Sequence, residues 1–366
     1  MSAGFGTPVS RRAALVAGAA AAAGALAAPA IAQSPRVLRM ATSWPGGLSG
    51  LADSVKRVAD GITEGSGGSL RVDVYPAGTL VPPLGVHDAA GAGEVELYHS
   101  VEYYYQKKHR GLNFFATVPM GLTAMEQIAW VNHGGGQALW DEVNAQFGVK
   151  AMAVGGTGTQ MGGWFVDPIA SVEDLKKTIM RIPGLGGQVL NALGVETVVL
   201  PGGGIVAALT NGDIGATEWV GPWNDLQFGF QKLLGTYMYP GFHEPGTTAS
   251  LGVNLALWND LSPRERTLIE TVAQSEAMLH TSHYLTNNAL SLRSLEQEYA
   301  IRPQRIPDEV IDVIARESEE VVAGVANDDD LARRIYESYA AFRAAIINDS
   351  ATQSEVAFQI ARARVL

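Results

Sequence analysis

The chain has 366 residues, 47% hydrophobic and 17% charged, with a formal net charge of −11 and no cysteine. That is the composition of a globular protein long enough for two lobes, each burying its own core, and its negative charge disfavours nucleic acid and anionic lipid as partners. Without cysteine there are no disulfides, thiolate metal sites or cysteine nucleophiles, although export is not excluded.

The N-terminus reads as an export signal. Arg11-Arg12 precede an apolar, alanine-rich run from Ala13 to Ala28, and Ala30-Ile31-Ala32 offers a cleavage site before Gln33. Residues 1–32 are therefore expected to be a signal peptide, with the paired arginines pointing to the twin-arginine route. The alternative is an uncleaved anchor, disfavoured because an alanine-rich run inserts poorly. Cleavage leaves 24 basic against 37 acidic residues, a net charge of −13. No later segment is long and apolar enough to span a bilayer, so the mature protein is expected to be periplasmic and not membrane-embedded.

Strand and helix patterns then alternate. Arg36–Ser43 alternates as a strand, Leu48–Glu64 has helical spacing, Leu70–Tyr75 alternates again, and Val95–His99 is a short third strand. Thr123–Phe147 is helical with an interruption at Gly134-Gly135-Gly136, and Val149–Val154 is a strand. Gly163–Val166, Ile179–Ile182, Glu196–Leu200 and Gly215–Trp219 read as strands, with helices at Gly187–Leu193 and Ile205–Thr210 and a capping box opening at Ser171. Ser250–Leu257 alternates and returns the chain to the first lobe. This βα alternation predicts an α/β protein with largely parallel sheets. After Leu261 long helices take over: Ser262-Pro263 to about Tyr299, Asp308–Val325, Leu331–Ile347 and Ala357–Val365. They suit a strut across the lobes or an oligomer contact. The expected division is lobe 1 over 33–158 with 248–285, lobe 2 over 159–247, and C-terminal helices over 286–366.

Enzyme motifs are scarce: there is no phosphate-binding P-loop and no G-x-S-x-G elbow. His280 and His283 could meet on one helix face, but no third ligand accompanies them, and an ordinary histidine pair is the better reading. Four segments instead set polar groups beside glycines and aromatics: Thr159–Trp164, Met180–Gly184, Ala216–Pro222 and Tyr239–Gly246. Arg181 ends an apolar strand, where a buried guanidinium needs an anion and matches a carboxylate with two hydrogen bonds. Glu218 also ends a strand and needs a cation or several donors, Glu244 sits in a Pro/Gly turn, and Gln160 adds a neutral oxygen. Strand ends face the ligand crevice in open α/β sheets. A structural ion pair between Arg181 and Glu218 or Glu244 is the competing interpretation.

The stretches TQMGGWF (Thr159–Phe165), ATEWVGP (Ala216–Pro222), HSVEYYYQK (His99–Lys107), WVNHGGG (Trp130–Gly136) and YPGFHEPG (Tyr239–Gly246) together resemble the solute receptors of TRAP (tripartite ATP-independent periplasmic) transporters, most closely the branch that binds 2-oxo acids. The resemblance spans about residues 36–345. It implies a two-lobed periplasmic-binding-protein fold (type II-like) with long C-terminal helices, a receptor and not an enzyme, membrane transporter subunits as partners, and a possible homodimer. It further implies that Arg181 holds the substrate carboxylate. Gln160, Glu218, the backbone of Trp219, and Glu244 hold a bound cation, which the substrate also contacts, and the Tyr103-Tyr104-Tyr105 run and Trp44 line the organic end. The chain departs from many relatives at Pro201-Gly202-Gly203-Gly204, Met120 and Asn224.

An all-oxygen donor set selects a hard ion such as Na⁺ or Ca²⁺. Two glutamates, one substrate carboxylate and one arginine sum to −2, so charge alone leans to Ca²⁺ while the resemblance favours Na⁺. A single prominent arginine suits a small monocarboxylate, and the resemblance implies a 2-oxo acid such as pyruvate or 2-oxobutyrate. Lactate or another 2-hydroxy acid, a sulfonate, and an exported metal-dependent enzyme using Glu218 or Glu244 as base remain as alternatives.

Overall fold

The computed structural model describes residues 34–364 together with Met1 and Gly4. The expected signal peptide over 1–32 thus lies, those two residues aside, outside the described residues. Met1–Arg36 and Val37–Leu366 are separate contact units, and the second carries the fold.

In chain order, β1 (Arg36–Thr42) leads to α1 (Leu51–Gly65), whose buried Leu51, Val55, Val58 and Ile62 recur at helical spacing on one face. β2 (Leu70–Tyr75), α2 (Val86–Ala92) and β3 (Leu97–Ser100) follow. Two 3-10 turns, Glu102–Tyr105 and Arg110–Phe115, carry the tyrosine run onward. The helical span over 123–147 is two helices, α3 (Ala124–His133) and α4 (Gly136–Ala145); Gly135 between them has φ +88°, which a side-chain-bearing residue resists. β4 (Val149–Gly156) closes this part. The second part runs through β5 (Gly163–Phe165), α5 (Val172–Leu175), β6 (Ile179–Arg181), α6 (Gly184–Ala192), β7 (Glu196–Val198), α7 (Gly202–Asn211), β8 (Ala216–Thr217), α8 (Pro222–Phe228) and β9 (Thr236–Tyr239). β10 (Thr248–Asn254) and α9 (Leu255–Asp260) lead back to α10 (Pro263–Glu298), β11 (Gln304–Arg305), α11 (Asp308–Gly324), α12 (Asp330–Ile347) and α13 (Ser350–Ala363).

Two sheets result, ordered β2-β1-β3-β10-β4 and β11-β9-β5-β8-β6-β7, one in each lobe. They are mixed, where the alternation alone predicts largely parallel sheets. β1 pairs with β3, and β6 with β7 and β8, in parallel; β10 runs antiparallel between β3 and β4, and β5 antiparallel to β8 and β9. A strand returning from the other sheet is free of the helical crossover that makes neighbours parallel. The region 286–366 is likewise not all helix: β11 pairs with the edge of β9, and two residues are too few to show a strand period.

Long helices join the lobes. The 36 residues of α10 span about 54 Å. Its Glu276 takes both arms of Arg57 on α1 at 2.8 and 2.6 Å, while its Tyr284 hydroxyl donates to Asn224 Oδ1 on α8 at 2.5 Å. Val310 and Ile314 of α11 enter the second lobe's core, and Ile335 and Tyr339 of α12 enter a first-lobe core built on Phe115. Phe115 lies stacked between Trp130 and Trp140, ring centroids 5.3 and 5.2 Å away. Among the described residues, no helix is long and apolar enough to cross a membrane.

One buried acid ties the loop after β8 to the second sheet. Asp225 accepts from the Trp164 indole at 3.0 Å, the Tyr237 hydroxyl at 2.7 Å and the Val220 amide at 3.3 Å. Burial outweighs these donors and pushes its carboxyl up to about 7. The folded state therefore holds this proton more tightly than the unfolded chain. Its contribution to stability is full below about pH 4 and is lost as pH rises to about 7.

Two outcomes follow for unfolding in urea. Phe115→Ala removes the middle ring of the stack and should lower the unfolding free energy by about 3–5 kcal/mol. Asp225→Asn should flatten the stability profile between pH 4 and 7 by on the order of 1 kcal/mol per pH unit relative to the parent chain; an unchanged slope would show that Asp225 stays ionised in that range.

Candidate functional site

All four polar segments named from the sequence meet between the lobes. Backbone bonds knit them: Gln160 N donates to Glu244 O at 3.0 Å, Gly241 N to Gln160 O at 2.9 Å, and Met161 N to Val220 O at 3.4 Å. Each segment follows a strand or joins two, as strand ends facing a crevice require.

Arg181 ends β6 with its side chain 1% exposed. Its Nε donates to Leu200 O at 3.1 Å, and Nη1 donates to Glu218 O at 3.2 Å and to Glu218 Oε1. Nη2 reaches the Tyr104 hydroxyl at 3.5 Å. The guanidinium lies 5.2 Å from the Trp219 ring centroid, a cation–π contact. Gly202 permits this placement of Trp219, because a Cβ there would stand 2.5 Å from the indole. The anticipated Arg181–Glu218 ion pair is therefore present, and it uses one of the two outer guanidinium nitrogens.

The acidic side of the site is equally buried. Glu218 Oε2 and Gln160 Oε1 accept no hydrogen bond although both are shut off from solvent. Gln160 Nε2 is held by Thr157 Oγ1 and Thr247 Oγ1, each at 3.2 Å, and Thr247 Oγ1 donates in turn to Glu244 Oε2. Burial, reinforced by the charge of Glu218, pushes the Glu244 carboxyl up to about 7. His243 Nε2 lies 3.5 Å from Glu218 Oε2, and one ligand atom from each of Glu218, His243 and Glu244 falls within 4.8 Å of the others.

This cluster fits a hard cation. Two buried oxygens without donors, one on the Glu218 carboxylate and one on the Gln160 amide, with the Glu244 carboxyl beside them, form the environment in which a bound ion offsets repulsion and lost hydration. His243 adds a nitrogen that no local pattern marks, since its partners Glu218 and Glu244 meet it only through the fold. Thr157 and Thr247, which orient Gln160, were also missed; no motif marks a threonine whose role depends on a contact 87 residues away.

The aromatic end is formed by the first lobe. Trp44 is buried and meets Trp219 edge-to-face across the cleft, centroids 6.4 Å apart. Tyr103 lines the same space, whereas it is Tyr104 that faces Arg181 and Tyr105 that turns into the first-lobe core against His87. The cavity between the lobes, lined by Trp44, Val101, Tyr103, Gln160, Trp219 and Val220 among others, measures about 20 Å³, roughly one water molecule. A larger groove of about 510 Å³ at Gln106–Arg110, Gln188 and Asp328-Asp329 is open, and none of the four segments reaches it.

Known proteins share this fold. Residues 43–328 match DctP, the bacterial extracellular solute-binding protein family 7. A monocarboxylate 2-oxoacid-binding periplasmic protein of Nostoc is 40% identical over 307 residues, 83% of each chain. A TRAP solute-binding protein of Pseudoalteromonas atlantica, solved with sodium and pyruvate, superposes with TM-score 0.85 at 32% identity, covering 89% of this chain and 99% of that one. One from Bordetella bronchiseptica superposes with TM-score 0.86 at 30% identity, covering 91% and 99%. It is a dimer with copurified calcium and picolinate in one active site and the other apo. By family match and by identity over most of its length, this chain belongs to the DctP family of bacterial extracellular solute-binding proteins.

Proposed function

We propose that this protein is the solute receptor of a TRAP transporter and captures a small 2-oxo monocarboxylate, of the size of pyruvate or 2-oxobutyrate, together with a hard cation between its lobes. The observation that carries the reading is the pairing of one buried guanidinium with buried carboxylate and amide oxygens that lack donors. In this reading Arg181 donates to the ligand carboxylate while Glu218 holds its other arm in plane. Gln160, Glu218, the Trp219 backbone and Glu244 face the cation. When bound, that ion supplies positive charge to the ligand's oxygens and to the two glutamates. Trp44 and Tyr103 cover the organic end.

Sodium is the first assignment and calcium the second; the relatives with sodium and pyruvate, and with calcium and picolinate, support a site that takes hard ions of either charge. The ligand enters by separation of the lobes, since the cavity of about 20 Å³ is too small for a keto acid, and ligand contacts to both lobes then favour the closed state. The reading includes export to the periplasm by the twin-arginine route, hand-over to membrane subunits, a homodimer in solution, and release of the ligand chemically unchanged.

Calorimetric titration of the metal-free protein with pyruvate tests this. Binding should appear in sodium or calcium chloride and be lost in choline chloride. Arg181→Ala, and to a lesser degree Arg181→Lys, should weaken it by about 30-fold or more. Undiminished affinity in Arg181→Ala, or tighter binding of lactate or a sulfonate than of pyruvate, would overturn the ligand assignment. Mass spectrometry of pyruvate incubated with the protein should find it unaltered.

A further inference from the structure

Behind the cleft, Trp44 is anchored by a group that touches neither the proposed ligand nor the proposed cation ligands. The parallel register of β1 and β3 sets Thr42 opposite His99, and Ser43 N donates to His99 O at 3.2 Å. Two residues past the register position, the indole Nε1 of Trp44 donates to His99 Nδ1 at 2.8 Å. An indole N–H can only donate, so Nδ1 must present its lone pair. Burial pushes the pKa of His99 down to about 3, with Arg57 contributing, so the ring is neutral. Its one proton therefore sits on Nε2 and donates to Ser54 Oγ of α1 at 3.2 Å. The ring is thus held at both nitrogens, by two elements of the first lobe.

We propose that His99 is a positioning residue for ligand capture, its Nδ1 fixing the indole of Trp44 in the pose that meets Trp219 when the cleft closes. This rests on the cleft-binding reading above. The contacts run from Ser54 through His99 and Trp44 to Trp219, whose ring lies on the Arg181 guanidinium. His99 matters to closure because of where the indole N–H goes. With the lobes together Trp44 is 3% exposed, and His99 is its acceptor. Without that acceptor the closed form carries a buried, unpaired donor, whereas an open form lets water reach it. Losing the acceptor therefore penalises the ligand-bound state specifically, and the penalty is read as affinity.

Two variants separate this role from packing. His99→Asn keeps an acceptor oxygen close to the position of Nδ1, and His99→Leu fills similar space without one. Pyruvate titration in sodium chloride should show His99→Leu weakened by about fivefold or more, and His99→Asn within about twofold of the parent. In the ¹H–¹⁵N spectrum of the seven tryptophan indoles, the Trp44 signal, assigned through Trp44→Phe, should move and exchange faster in His99→Leu and stay near its place in His99→Asn. Equal affinities for both variants, or an unmoved Trp44 signal in His99→Leu, would overturn the proposal. Should His99→Leu fail to fold, Ser54→Ala frees only the Nε2 side, and an unaltered Trp44 signal there counts equally against a clamped ring. If the parent chain itself ignores pyruvate, the receptor reading fails, while the indole signals still report whether His99 holds Trp44.

Discussion

A guanidinium and a carboxylate buried together between two lobes set the terms for everything around them. Removing both Arg181 and Glu218 from water costs more than their attraction returns unless further partners complete their hydrogen bonding. The arginine has them, in the carbonyls of Leu200 and Glu218 and the face of Trp219. The acid does not, for Glu218 Oε2 lies 3.5 Å from an imidazole nitrogen and accepts no hydrogen bond. With Glu244 alongside, the cluster has two carboxyls for one arginine, and burial first, then the charge of Glu218, pushes the Glu244 carboxyl up. In the proposed reading a cation offsets the two carboxyls and the ligand's own carboxylate engages the arginine.

Such an arrangement survives only if the segments that carry it cannot drift. Gln160, Gly241 and Glu244 exchange backbone bonds, and Asp225 pins Val220 to the second sheet. The bracing extends outward. Met120, at φ +53°, donates its N–H to Phe242 O at 2.8 Å, and its own carbonyl accepts from Arg343 Nε and Nη2 on α12 at 3.1 and 2.7 Å. A C-terminal helix thereby grips the loop that grips the Phe242–Glu244 turn. This gives the long helices a mechanical role distinct from any contact between chains.

Closure is the other half of the function, and aromatic and amide contacts across the cleft accompany it. Trp44 meets Trp219, and Gln188 Nε2 on α6 donates to Gln106 Oε1 of the first lobe at 2.6 Å. Individually these are modest interactions, which suits a receptor that has to open again. A ligand selects the closed form only by the affinity it gains there, and in the proposed reading a small anion between Arg181 of one lobe and Trp44 of the other gains it from both sides.

Chemistry carried by contiguous residues was legible in the sequence by itself. The strand of Leu70–Tyr75, the capping box at Ser171 and Asp174, and the long helix opening at Ser262-Pro263 are local patterns of period and capping, and they appear where those patterns put them. The four segments around Gln160, Arg181, Glu218 and Glu244 were also marked, because charges beside glycines at strand ends require partners wherever the chain takes them. Tertiary structure decided what depends on register and distance. It sent β10 antiparallel into the first sheet, set Tyr104 of the tyrosine run to face Arg181, and brought His243 beside Glu218. It also set His99 behind Trp44. Fifty-five residues separate those two side chains, and no local pattern encodes a contact that exists only once two strands have found their pairing.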